Sequence, residues 1–236
     1  MCSSKMNYLP FGESCAPATG VRNLHLRSFA LPFDWMRASA EQLVKVVEND
    51  FVGFHENLAV SPCKKFVVDG YGMEFPHDYP TEKQGLDIDT QDDCIIHEDI
   101  LADTWRTSIE INTEKYARRI VRFRAMLSSP EPILVVTTCR LKHIHEFKDL
   151  FLRKYGKTNI CYAVLSDEVI TEEEKAAFLQ EGVCLCDPET VYIDDFDNQF
   201  IIPEEQNKLW KDAIEKLKQT SPLLRSPPCV PTVSTS

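Results

Sequence analysis

The chain has 236 residues, of which 43% are hydrophobic, and this is enough to form one sizeable core. The formal net charge of −11 would repel phosphate backbones over most of the surface, so we expect no nucleic-acid partner. The sequence has no run of about eighteen apolar residues and no apolar stretch after residues 1–5, so we expect no membrane span, no membrane partner and no secretory signal.

Nine cysteines are scattered along the sequence. Their number is odd, and a chain of this length does not need disulfides to hold its fold. We therefore predict reduced thiols and a cytoplasmic protein. Cys184 and Cys186 have no second Cys or His pair at zinc-site spacing, so we predict no metal. No G-x-G-x-x-G or P-loop sequence follows a strand of the C-terminal half, and we predict no other cofactor.

The first dozen residues are predicted to form an irregular lead-in, in which Gly12 allows a tight turn before Cys15. A short helix is predicted over residues 16–26, because Pro17 falls in the first turn, where proline is tolerated. Cys15 would then lie at a helix N-terminus, where partial positive charge stabilises a thiolate.

A second helix is predicted from Ser39, which is followed by Gln42 at the capping-box position and by apolar residues at helical spacing. Residues 65–72 are predicted to form a strand that ends in a turn, and His77 follows soon after it. The acidic stretch at 87–103 has no glycine where a calcium-binding loop needs its sharp turn, so we interpret it as a solvated surface.

A third helix is predicted to begin at Thr113, and Arg118, Arg119 and Arg122 fall within an arc of about 100° on its surface. We call these three residues the arginine stripe; it could hold a phosphate or a carboxylate. Strand and helix then alternate over 132–138, 143–155, 159–165, 171–181 and 183–186, which predicts parallel βαβ units.

The final helix is predicted over residues 203–218, with Trp210 on its buried side. Beyond it the sequence is rich in Pro, Ser and Thr, which predicts disorder. The predicted architecture is α/β: one domain over residues 7–219, with an irregular N-terminal half and a βαβ-type parallel C-terminal half, followed by a disordered tail over 220–236.

Four short strings carry a resemblance to a known family: Gly12-x-x-Cys15, Pro32-Phe33-Asp34-Trp35, Phe75-Pro76-His77-Asp78 and Lys115-Tyr116-x-Arg118-Arg119-x-x-Arg122-Phe123. In this order and approximate spacing, the sequence resembles the bacterial and viral proteins catalogued as "putative papain-like cysteine peptidases", a domain of unknown function. The likeness spans roughly residues 9–140.

The resemblance implies a cysteine hydrolase of the peptidase, deconjugating or acyl-transfer type. Cys15 would be its nucleophile and His77 its general base, with Asp78 or Asp34 orienting the imidazole. The chain departs from a papain pattern, because no aromatic residue stands directly after Cys15 and no upstream Gln can be assigned to an oxyanion hole. Backbone N–H groups at Ser14 and Cys15 are the remaining candidates.

Two alternatives stay open. Asp34 lies between two aromatic residues and could pair with the arginine stripe as part of the scaffold instead of acting on His77. The chain could also be a non-hydrolytic α/β binding or transferase protein, with an anionic ligand near Thr137, Thr138 and Ser166 at the carboxyl ends of the strands. The expected partner is accordingly a protein or peptide substrate, or a small anionic ligand.

Overall fold

The computed structural model describes residues 6–86, 96–166, 168–186 and 204–224. Within these residues the helices are α1 (Ala16–Asn23), α2 (Ala40–Glu48), α3 (Ile109–Ser128), α4 (Lys142–Tyr155), α5 (Glu172–Gln180) and α6 (Glu204–Thr220). The strands are β1 (Asn7–Pro10), β2 (Ala59–Val60), β3 (Val67–Val68), β4 (Glu74–Phe75), β5 (Thr81–Leu86), β6 (Ile96–Leu101), β7 (Ile133–Thr138), β8 (Ile160–Leu165) and β9 (Val183–Leu185).

A parallel sheet in the order β1-β7-β8-β9 organises the fold. The predicted βαβ arrangement of the C-terminal half is confirmed, since helices α4 and α5 connect its parallel strands. The predicted irregular lead-in is wrong at residues 7–10, which form β1 and pair with β7, Asn7 lying opposite Ile133. The N-terminal half therefore contributes a strand to the sheet of the C-terminal half, and the described residues form one α/β domain.

Two helix starts show how local chemistry sets the boundaries. The predicted capping box of α2 is present, because Ser39 Oγ accepts from the Gln42 backbone and the Gln42 side chain accepts from Ser39 N–H. The predicted start at Thr113 is wrong, because a 3₁₀ turn over Asp103–Ser108 leads directly into α3 at Ile109. The predicted strand over 65–72 is reduced to the two residues of β3.

Strand side chains alternate between two cores. On one face, Leu9, Val135 and Tyr162 pack with α2, α3 and α4 in a cluster rich in phenylalanine. On the other face, Leu134 and Val136 pack against α1 and α6. Both faces of the sheet are covered, as expected for parallel strands with nearly continuous apolar sequences.

Helices α1 and α6 approach each other at Gly20, which lies against Trp210. The indole of Trp210 is fully buried, as predicted, and a Cβ built on Gly20 would lie 2.1 Å from its Cε3 atom. Only a glycine fits this contact without movement of one helix. Gly20 thus fixes the position of α1 against the second core.

The end of α6 leads into further packed structure. Ser221 is buried beside Cys161, and Leu224 joins the second core. The predicted tail over 220–236 therefore starts with residues that pack on the domain, and residues 225–236 lie outside the described part of the chain, as does most of the acidic stretch. No helix in the described part is both long enough and apolar enough to cross a bilayer.

Candidate active site

Cys15 lies at the N-terminal end of α1, just beyond the carboxyl end of β1. The intervening loop is fixed to β7, because Phe11 N–H donates to Val136 O and Glu13 N–H donates to Thr138 O. A Cβ at Gly12 would lie 2.9 Å from Thr138 N, so the motif needs glycine for this close approach. The predicted position of Cys15 at a helix N-terminus is confirmed.

A cavity of about 370 Å³ opens beside Cys15. Its walls carry the residues Cys15, Thr19, Arg22, Trp35, His77, Asp78 and Arg119. The structure thus brings Cys15 and His77, which are far apart in sequence, to the walls of one cavity. It lies at the carboxyl end of a parallel sheet, where open α/β folds commonly bind ligands.

The Cys15 thiol is buried, and this determines its charge. Burial raises the pKa of Cys15 to about 11, and the helix backbone, Arg37 and Arg22 oppose the rise only in part. The sequence predicted a thiolate stabilised by the helix N-terminus, but removal from water outweighs that effect. Cys15 is a neutral thiol at neutral pH in this structure.

His77 lines the cavity and is an exposed residue. Its ring meets the indole of Trp35 edge to face, with centroids 6.2 Å apart. Partial removal from water lowers the pKa of His77; the charge of Asp78 opposes this shift and that of Arg37 adds to it. A lowered pKa keeps the imidazole neutral near pH 7, as a general base requires.

Asp78 lies next to His77 but directs its carboxylate elsewhere. Its Oδ1 accepts from Lys115 Nζ at 2.5 Å, and its Oδ2 accepts from the hydroxyl of Tyr116. Its backbone carbonyl accepts from Asn112 Nδ2 at 2.6 Å. Asp78 therefore acts on His77 through its charge, and these three contacts hold the His77 segment against α3.

Asp34 is fully buried and pairs with Arg27. Its Oδ2 also accepts from Leu31 N–H at 3.0 Å. Burial raises the pKa of Asp34 to about 6, with Arg27 as the strongest opposing charge. The predicted pairing with an arginine is confirmed, but the partner is Arg27, which is not part of the arginine stripe.

The arginine stripe separates into three environments. Arg118 is exposed and lies 3.7 Å from Glu114, and Arg122 lies over the ring of Phe29. Arg119 alone reaches the cavity, where its guanidinium lies over Tyr116. Only one residue of the arginine stripe therefore lines the cavity, and binding of an anion by the stripe stays a prediction.

Sequence reasoning missed two cavity residues on α1, Thr19 and Arg22. They follow Cys15 by four and seven positions, a spacing that places all three side chains on one helix face. Thr19 donates to the backbone carbonyl of Cys15, and the guanidinium of Arg22 lies 5.1 Å from the ring centroid of Trp35. The signal was present in the sequence once Cys15 was placed at the helix start.

The sites suggested for a ligand at Thr137, Thr138 and Ser166 lie at the carboxyl ends of β7 and β8, outside the cavity lining. Among the described residues, no group of three or more His, Cys, Asp or Glu side chains is placed to hold a metal ion. The residues that line the cavity therefore include a thiol, an imidazole, a carboxylate, a hydroxyl and two guanidinium groups.

A family model described as "Putative papain-like cysteine peptidase (DUF1796)" matches residues 6–159. The chain belongs to this family. No curated protein and no solved structure matches the chain significantly.

The family match runs from just before β1 to just before β8. It contains every residue that lines the cavity. Strands β8 and β9 with helices α5 and α6 lie beyond the match, although α6 packs against α1 through Trp210 and Gly20. The part of the chain that defines the family thus holds the candidate active site, and the remaining part supports it.

Proposed function

We propose that the chain is a cysteine hydrolase or acyl transferase in which Cys15 is the nucleophile and His77 the general base. The observation that carries this proposal is the shared cavity, which places a thiol at a helix N-terminus and a neutral imidazole around one space. Membership of the peptidase family supports the same reaction class. Its substrate would contain an amide, isopeptide or thioester bond.

The reaction begins from a neutral pair. His77 takes the thiol proton of Cys15 as the sulfur attacks the carbonyl carbon, and the resulting tetrahedral intermediate carries the negative charge on oxygen. Backbone N–H groups at Ser14 and Cys15 are the proposed donors to this oxygen. The intermediate collapses to a thioester, and the leaving group takes the proton from imidazolium. Water, deprotonated by His77, then attacks the thioester and releases the acid and the free thiol.

The electrostatics of the site favour proton transfer during the attack over a thiolate–imidazolium pair formed beforehand. Burial raises the pKa of Cys15 and lowers that of His77, so both shifts favour the uncharged forms. Arg22 and Arg37 lower the pKa of the thiol and so help the proton leave when substrate excludes water. Asp78, by its charge, stabilises the imidazolium that forms.

A second candidate function uses the same cavity without chemistry. Arg22 and Arg119 line it, so the chain could bind an anionic ligand as a non-hydrolytic α/β protein. The two functions differ in one observable, which is a covalent bond to Cys15. The hydrolase must form an acyl-enzyme, whereas the binding protein need not.

The test uses p-nitrophenyl acetate, a small activated ester, as acyl donor. We expect a burst of p-nitrophenolate and, by mass spectrometry of peptides from the rapidly quenched protein, an acetyl group on Cys15. His77→Ala should lower the acylation rate at pH 7 by about 100-fold or more, the usual contribution of a general base. Below the pKa of His77 the wild-type rate should fall as well.

Two variants serve as matched controls. Cys63 is exposed and His145 is exposed on α4, both outside the cavity lining, so Cys63→Ser and His145→Ala should leave acylation of Cys15 unchanged. Acetylation of Cys63 alone, or equal rates with and without His77, would rule out the proposed mechanism and leave the binding function in its place.

A further inference from the structure

We infer that the cavity selects an acyl donor bearing an oxyanion group, a carboxylate or a phosphate, which Arg22 and Arg119 bind next to Cys15. This inference names the substrate class of the proposed hydrolase and rests on that function.

The carboxylates near the cavity are matched by other cations. Asp78 accepts from Lys115, and Asp34 pairs with Arg27. Arg119 acts on Asp34 electrostatically, but the hydrogen bonds of Asp34 come from Arg27 and from a backbone N–H, and both go to Oδ2. Asp34 Oδ1 is buried and has no hydrogen-bond partner among the described residues. Arg22 and Arg119 therefore remain as the positive charges that line the cavity beyond these pairs.

Both guanidinium groups are oriented by aromatic rings. The Cζ atom of Arg22 lies 5.1 Å from the ring centroid of Trp35, and that of Arg119 lies 5.4 Å from the ring centroid of Tyr116. A guanidinium placed over an aromatic face keeps the N–H groups at its edge for planar partners such as a carboxylate. Both residues are thus held in place before a ligand binds.

Arg119 also carries an unpartnered hydrogen-bond donor. Its Nη1 atom is buried and has no hydrogen-bond partner among the described residues. A buried donor of a charged group that lacks a partner is costly, so the guanidinium would gain by turning toward the cavity, where an oxyanion would supply an acceptor. Arg118, the preceding residue of α3, is exposed and lies near Glu114 instead.

The size and setting of the cavity fit a small group of this kind. Its volume of about 370 Å³ lies at the low end of the range for small-ligand sites. The chain as a whole carries a net charge of −11, so most of its surface repels anions, whereas the two arginines would attract an anion to this cavity. The bound anion would place the carbonyl of the same molecule near the Cys15 sulfur.

The test measures binding without chemistry, in the Cys15→Ala variant by isothermal titration calorimetry at constant ionic strength. The probes are succinate, inorganic phosphate and succinamide, which is the neutral amide of similar shape to succinate. We expect at least one anion to bind about 10-fold or more tightly than succinamide, since a charged partner strengthens each hydrogen bond. The tighter of the two anions identifies the group as carboxylate or phosphate.

Arg119→Gln should weaken binding of that anion by about 10- to 100-fold, whereas Arg118→Gln on the same helix should leave it unchanged. Arg22→Gln is a second variant at an exposed position and should also weaken binding, which keeps the test valid if Arg119→Gln does not fold. Equal binding of all three probes, binding of none at millimolar concentration, or equal effects of Arg118→Gln and Arg119→Gln would overturn the inference.

This result is separable from the acylation experiment. Anion binding in Cys15→Ala without acetylation of Cys15 in the wild type would retain the arginine site and remove the hydrolase. Acetylation of Cys15 without preference for an anion would retain the hydrolase and remove the arginine site.

Discussion

The contact between Gly20 and Trp210 makes a quantitative prediction for Gly20→Ala. In an isolated helix this change would stabilise by about 1 kcal/mol, because glycine has low helix propensity. Here the new Cβ would lie 2.1 and 2.3 Å from the Cε3 and Cζ3 atoms of the Trp210 ring, more than an ångström inside the 3.4–4 Å of ordinary contact. The indole is rigid and fully buried, so helix α1 or α6 must shift.

Overpacking of this kind costs about 1–3 kcal/mol, and the extent of the overlap places Gly20→Ala at the upper end. After the gain in propensity, we expect the free energy of unfolding to fall by about 2 kcal/mol, measured by urea denaturation with the m-value unchanged. Repeating Gly20→Ala in a Trp210→Leu background measures the contribution of the contact with the ring. Without the ring, Gly20→Ala should leave the free energy of unfolding unchanged or raise it. An equal loss in both backgrounds, or no loss in the wild type, would refute the reasoning.

Three further substitutions test other parts of the domain. Burial lowers the pKa of His55 from about 6.5 to about 4, so between these pH values the unfolded state binds a proton that the folded state does not. In urea titrations between pH 6.5 and pH 4, the free energy of unfolding of the wild type should therefore fall by up to about 3 kcal/mol relative to that of His55→Gln. Parallel pH profiles would contradict this. Arg27→Met leaves buried Asp34 without its cation and should lower the free energy of unfolding in urea by about 3–5 kcal/mol, and adding Asp34→Asn should restore much of this loss. A loss below about 1 kcal/mol would show that the ion pair contributes little to stability. Ser39→Ala removes the cap of α2 and should lower thermal stability in calorimetry by about 1 kcal/mol, and an unchanged melting temperature would mean that Gln42 suffices.

The C-terminal elements could be predicted because each carries its own boundary signals. Thr171 and Glu174 form the capping box that starts α5, and Gly156 ends α4 in a left-handed conformation with φ of 62°. Strand β1 could not be recognised in the same way. It has four residues and ends in Pro10, and it forms a strand only because β7 lies beside it.

The candidate site shows the same limit at the level of side chains. The chain order and residue types were enough to select Cys15 and His77, which do line one cavity. They were not enough to choose Arg27 as the partner of Asp34 or to separate Arg119 from its neighbours, because these depend on which helix face meets the cavity. The charge of Cys15 also required the structure, since burial and the helix N-terminus act in opposite directions on its pKa.

The pairing of β1 with β7 has a consequence for how the protein is made. Asn7 lies opposite Ile133, so β1, the strand that leads to Cys15, can pair with β7 only after more than half of the chain has been synthesised. Contacts between such distant residues form slowly, because a long loop must close first. A fragment that ends before β7 would contain Cys15 and His77 but would lack the strand that fixes the loop before α1. The nascent protein therefore carries Cys15 without the completed candidate site until β7 has emerged.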